Sequence, residues 1–298
     1  MKLEISQAVK EALRQKTPIL ALESTIITHG LPYPQNYDIA LELEEIARSY
    51  SVTPATIAII EGKAHIGLTT EEIKELSLEG KKKYKFSAYD LPIAFGLGLT
   101  GSTTVAGTSF LAEKAGIKVF ATGGLGGVHK EHLTRMDISN DIKSLSETPL
   151  VVVSSGAKCI LDLESTVEAL ETFGVPTLGW KTNIFPAFYY NDSGIKLSYQ
   201  VDNGDQVASV AKELNKSALL VFNPVPKEAE LPKTYMETLI EEANNEAKKI
   251  GITGKEVTPF LLNFMREKSE GRTVETNCAL IRSNVRVACE ILQSLSKL

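Results

Sequence analysis

The chain has 298 residues, 43% of them hydrophobic and 23% charged, with a formal net charge of -5; it is long enough to bury a large core as an ordinary globular protein. That charge excludes general affinity for nucleic-acid backbone or anionic membrane, while leaving room for a local basic pocket that holds one phosphate. Cys159, Cys278 and Cys289 are odd in number and lack metal-knuckle spacing, which argues against a disulfide scaffold or a structural zinc site.

The amino-terminal stretch MKLEISQAVKEALRQK is amphipathic and charged, without the continuous apolar segment of a signal peptide, and no apolar run reaches bilayer length. A cytoplasmic location is therefore expected. Further along, apolar runs of strand length alternate with stretches of helical period, the pattern of an α/β protein. Strands are predicted over 19–24, 56–60, 84–87, 118–122, 150–154, 177–179 and 219–222. Helices are predicted over 35–50, 70–79, 102–115, 157–173, 205–215, 233–249, 258–268 and 274–295. The expected architecture is a three-layer α/β/α sandwich with a central mixed, largely parallel sheet. Residues 190–200 read as a hairpin insertion, and the nearly all-helical stretch after Pro224 reads as a helical cap on a single domain spanning 1–298.

The residues that carry chemistry fall just after strand carboxyl ends, where α/β proteins place their sites. In ALESTIITHG (21–30), Glu23 interrupts an apolar strand, so it is paired internally, held protonated as an acid, or set on an exposed edge. His29, before Gly30 at a turn, is a site residue or a structural one. In ATGGLGGVH (121–129), four glycines in five positions let the backbone approach a ligand and present amides to an anion. The spacing is neither a dinucleotide fingerprint nor a P-loop. His129 and His132 have metal-compatible spacing without further ligands at helical spacing.

In DISND (137–141), a helix would set the carboxylates of Asp137 and Asp141 on one face, where they repel unless a hydrated divalent cation or ligand hydroxyls use them. Equally, Asp137 or Ser139 caps that helix. Lys85 ends a lysine-rich run and is placed to meet a phosphate or simply to be solvated. The run VVVSSGAK (151–158) delivers Lys158 into a predicted first helical turn, where partial burial and the helix's positive end both lower an amine's pKa. A neutral amine attacks a sugar carbonyl to form a Schiff base; the alternative is a lysine turned to solvent or paired with a carboxylate. Cys159, expected about 100° away around the helix, is assigned to the core.

Taken together, ALESTIITHG with Pro34-Gln35-Asn36, PATIAII (54–60), ATGGLGGVH, DISND, GAK (156–158) with ILD (160–162), LETFGVP (170–176), PAF (186–188) and TPFLL (258–262) resemble the pseudouridine-5'-phosphate glycosidases, or indigoidine synthase A-like proteins. The resemblance spans almost the whole chain. It implies reversible cleavage of the C-glycosidic bond of pseudouridine 5'-phosphate to uracil and ribose 5-phosphate, through a Schiff base between Lys158 and the ring-opened sugar. Glu23 then matches the proton donor, Asp137 a ligand of manganese, and Ser139, Asn140 and Asp141 the segment contacting substrate or metal-bound water. Lys85 and Val105 match sugar-phosphate and substrate contacts, Asn277 a residue reading the uracil edge, and the expected assembly is a homotrimer. Two other functions stay open at this level: a Schiff-base lyase acting on a different sugar phosphate, and a non-catalytic sugar-phosphate-binding protein.

Overall fold

The computed structural model describes residues 1–130, 136–252 and 257–297. His132 lies outside them. Eleven strands among the described residues form one sheet: β1 (Leu3–Ile5), β2 (Ile19–Leu22), β3 (Thr53–Ile60), β4 (Lys63–Ile66), β5 (Tyr84–Phe86), β6 (Gly101–Thr103), β7 (Val119–Ala121), β8 (Val151–Ser154), β9 (Thr177–Trp180), β10 (Gln200–Val201) and β11 (Leu219–Phe222). The main path runs β1-β4-β3-β2-β7-β8-β11-β9-β10, with β6 pairing β3 and β5 pairing β6. From β3 through β10 along that path every pairing is parallel; β4 and β6 meet β3 antiparallel. The sheet is thus mixed and largely parallel, with helices covering both faces.

The central strands are apolar because both their faces are covered: β2, β8 and β11 are buried at every residue. Long β3 does two jobs. Its first half pairs β2, and its second half extends beyond the end of β2 to pair antiparallel β6. β6 therefore runs back toward the carboxyl end of β2, bringing its neighbour β5 and the helix Val105–Lys114 to the same edge. On one face the helix Arg272–Leu295 packs against β2, β7 and β8 and against the helices Gln35–Ser49 and Gly204–Lys212. No helix among the described residues is long and apolar enough to cross a membrane.

Three sequence expectations need correction. The helix expected from 157 begins only at Leu163, with Asp162 as its cap (Ser165 N to Asp162 Oδ1, 2.9 Å), so Lys158 lies in a loop and receives nothing from that helix's positive end. The helix carrying DISND starts at Asn140, capped by the Ser139 hydroxyl, which accepts from Asp141 N at 3.2 Å. Asp137 is off the helix, and the one-face repulsion with Asp141 does not arise. Residues 190–200 form no strand hairpin: their one antiparallel link is the bridge Ile184–Lys196, and the segment leads into β10 beside β9.

Backbone pairing takes residues 155–158 away from the helix. Beyond β7 and β8 the two chains stay zipped, through Thr122 N to Val153 O (3.0 Å), Ser155 N to Gly123 O (2.9 Å), Leu125 N to Gly156 O (2.9 Å) and Lys158 N to Leu125 O (3.3 Å). Gly156 makes this possible, since its φ is +76° and a Cβ there would fall on the carbonyl oxygen of Pro186. Gly156→Ala is expected to lower the free energy of unfolding by at least about 1–2 kcal/mol, read as a lower denaturant midpoint; an unchanged midpoint would contradict this account of the loop.

Candidate active site

Glu23 is the first residue beyond β2, half-buried at the carboxyl edge of the parallel sheet. Burial raises its pKa above the usual carboxylate range, opposed by the Thr122 hydroxyl, which donates to Glu23 Oε1, and by Lys158 and Lys85. Asp141 works with burial, its negative charge favouring the protonated form. Glu23 and Lys85 thus feel each other's charge and those of Asp141 and Lys158, although the four come from separate segments.

Lys85 sits on β5 opposite Ser102 of β6. Its side chain is exposed in the single chain. Desolvation by nearby protein atoms and the neighbouring Lys158 push its ammonium down to about 8, against the pull of Asp141 and Glu23. Val105 is the first residue of its helix and its side chain is buried, so what it offers a ligand is backbone amide at a helix's positive end.

Asp141 is buried and already committed: its Oδ1 accepts from Ala106 N (2.9 Å) and its Oδ2 from Gly126 N (2.8 Å). It ties the first turn of the Val105 helix to the glycine loop. Gly126 has no room for a side chain, since a Cβ would stand 2.7 Å from Asp141 Oδ2. Ser139 caps its own helix, and Asn140 Oδ1 accepts from Ser87 Oγ at 2.7 Å. Asn277, on the last helix, sets its Oδ1 beside Gly123, 3.4 Å from where a Cβ would be.

Asp137 is exposed, and its carbonyl accepts from His129 N at 3.0 Å. Among the described residues no three His, Cys, Asp or Glu side chains converge to enclose a metal ion. With the Asp141 oxygens bonded to amides, the donor set suits a cation that keeps most of its water and takes one carboxylate from the protein.

A seam of hydroxyls, not visible in the sequence, holds the Glu23 edge to the strands bearing Lys85. Ser24 Oγ donates to Ile57 O (2.6 Å) and accepts from Thr103 N (3.0 Å), and Thr25 Oγ1 donates to Thr103 O (2.8 Å). Thr28 Oγ1 donates to Ser102 Oγ at 2.7 Å and also meets His29 Nδ1 at 2.6 Å. Burial, then Lys85 and Lys81, lower the His29 pKa to about 4, so the imidazole is neutral at neutral pH. Cys159, beside Lys158 in sequence, is buried as expected, with its thiol pushed up to about 12. It is an inert core residue rather than a nucleophile.

Known proteins share the sequence pattern and the fold. Residues 8–294 match the family model described as indigoidine synthase A like protein. The pseudouridine-5'-phosphate glycosidase of Caldanaerobacter subterraneus subsp. tengcongensis is 47% identical over 300 residues, covering 99% of this chain and 97% of its own. The crystal structure of an indigoidine synthase A-like protein from Thermotoga maritima superposes with a TM-score of 0.88 at 36% identity, covering 98% of this chain and 96% of the other. A prealnumycin C-glycosynthase, solved in complex with ribulose 5-phosphate, gives a TM-score of 0.91 at 34% identity, covering 100% and 98%. The chain belongs to the indigoidine synthase A-like protein family.

Proposed function

We propose that this protein is a pseudouridine-5'-phosphate glycosidase that cleaves and re-forms the bond between uracil and ribose 5-phosphate. The observation that carries this reading is that Glu23, a carboxyl whose burial favours its protonated form, lies in the field of two amines, Lys158 and Lys85, at the carboxyl edge of the sheet. Near full-length identity to curated glycosidases supports the substrate. So does the sugar phosphate held by the C-glycosynthase neighbour.

The bond to be broken joins two carbons, so the leaving pyrimidine is far poorer than the oxygen leaving group of ordinary glycosidases. An amine answers this difficulty. Lys158 Nζ bonds to the anomeric carbon as the ring oxygen departs with a proton from Glu23. The Glu23 carboxylate takes a proton back from the new ammonium, and the freed nitrogen lone pair forms the imine while the bond to uracil breaks, its electron pair passing to the uracil carbon, which takes that proton from Glu23. Water adds to the imine, releasing ribose 5-phosphate and the free amine. Lys85 and the backbone amide of Val105 supply the charge and a donor for the phosphate. Asn277, with an amide's paired donor and acceptor, faces the uracil edge, and Ser139, Asn140 and Asp141 shape the wall between them.

Asp137 is the residue that would hold a divalent cation, manganese by resemblance, which when bound would supply positive charge and ordered water beside the substrate. The exposed apolar side chains Tyr84, Tyr89, Ile93 and Leu97, around β5 and the helix Leu91–Gly96, support self-association, with a cytoplasmic homotrimer as the proposed state.

The test is release of uracil and ribose 5-phosphate from pseudouridine 5'-phosphate with manganese present. Chelation should abolish turnover and manganese restore it, whereas full activity after exhaustive chelation would remove the metal from the reading. Glu23→Gln should retain substrate binding and lose about 10²- to 10⁴-fold in turnover; a wild-type rate would refute the proton-donor role. Affinity for ribose 5-phosphate should fall as pH rises through about 8, because the Lys85 ammonium is lost there. The slope should approach roughly tenfold per pH unit, the limit for one proton, and vanish in Lys85→Met. A pH-independent affinity, or one unchanged by that substitution, would show that Lys85 does not hold the phosphate.

A further inference from the structure

The last helix, Arg272–Leu295, carries a buried amide that the chemistry above does not use. Asn284 is fully buried, and its neighbours Leu280, Ile281, Val285 and Ala288 are buried and apolar. An amide among them is costly unless its bonds are made. Here they are made, and to particular partners. Nδ2 donates to Thr122 O at 2.8 Å and stands 3.4 Å from Gly123 O and 3.1 Å from Ser155 Oγ. Oδ1 accepts from Asn223 Nδ2 at 2.9 Å and from Ser155 Oγ at 3.2 Å. Thr122, Ser155 and Asn223 are the first residues beyond β7, β8 and β11, so one side chain gathers three adjacent strand ends.

Two of those ends lead directly to reacting groups. Thr122 donates its hydroxyl to Glu23, and Ser155 opens the loop that closes on Lys158. The helix itself presents Asn277 seven residues, nearly two turns, before Asn284 and so on the same face, with Oδ1 against Gly123. The phosphate side of the site is held differently, through the hydroxyl seam between the end of β2 and β6.

We propose that Asn284 is a positioning residue: it locks the ends of β7, β8 and β11 to the last helix and thereby sets the separation of Glu23, Lys158 and Asn277. It acts through Thr122, Gly123 and Ser155 and touches no substrate. The inference rests on the glycosidase reaction proposed above. Because Lys85 stands on β5, whose partner β6 is held by the hydroxyl seam, loss of the clamp falls on the chemical step and spares sugar-phosphate binding.

The experiment compares Asn284→Ser and Ser155→Ala with Ile291→Val, a buried apolar control on the same helix, measuring Tm, kcat and KM for pseudouridine 5'-phosphate. Asn284→Ser should lower kcat by about tenfold or more with KM within about twofold, and Ser155→Ala should lower kcat in the same sense by a smaller factor. Ile291→Val should lower Tm and leave kcat unchanged. If Asn284→Ser does not fold, Ser155→Ala carries the decision. An active wild type with unimpaired kcat in the decisive variant, or with losses appearing only in KM and Tm, overturns the inference alone. A wild type that releases no uracil overturns the glycosidase reading and this inference with it.

Discussion

The continued pairing of two chain segments beyond the ends of their strands is the constraint on which the site depends. β7 and β8 are ordinary buried parallel neighbours, but their backbones remain hydrogen-bonded through residues 122–125 and 155–158. That ladder, rather than a helix, fixes the Lys158 backbone. It also explains why glycines crowd this region: the paired loops pass so close to Asp141, Phe188 and Pro186 that side chains at Gly124, Gly126 and Gly156 would collide with them. A loop with several backbone amides committed in this way is held more rigidly than one positioned by side chains alone.

Around that ladder the charges are arranged to oppose one another. Burial drives Glu23 toward its protonated form and Lys85 toward its neutral form, and each is held back by the other's charge. A substrate phosphate entering beside Lys85 would favour the ammonium, while burial favours the protonated form of Glu23, and Asp141, bonded to two backbone amides, adds to that bias. The same residue thus fastens the fold and biases the acid.

Much of this was legible in the residues. The apolar runs of β2, β8 and β11 identify themselves because strands buried on both faces need no polar alternation. Glu23 and Lys158 stand out as charges at the ends of such runs. The strands missed were β1, β4, β6 and β10, which are two to four residues long; β6 is Gly101-Ser102-Thr103, without an apolar residue, and is held by its partners rather than by pattern. Helical apolar spacing over 157–161 points to a helix there, whereas the Lys158 amide is taken by Leu125 O and the Asp162 amide by Val128 O. Of the two readings of DISND, the structure has the one in which Ser139 caps the helix and Asp141 lies in its first turn, with Asp137 before it. Contacts between residues far apart in sequence left no local mark: Thr122 with Glu23, Ser24 and Thr28 with the end of β6, and Asn284 with three strand ends.

The central claim is that Lys158 forms the covalent link to the sugar, and borohydride trapping tests it most directly. Reduction of the protein in the presence of ribose 5-phosphate should leave the pentose phosphate on Lys158, identified by peptide mass spectrometry. Lys158→Ala should lose the label and turnover together while remaining folded. A label on Lys85 instead, or full turnover by the alanine variant, would contradict the account.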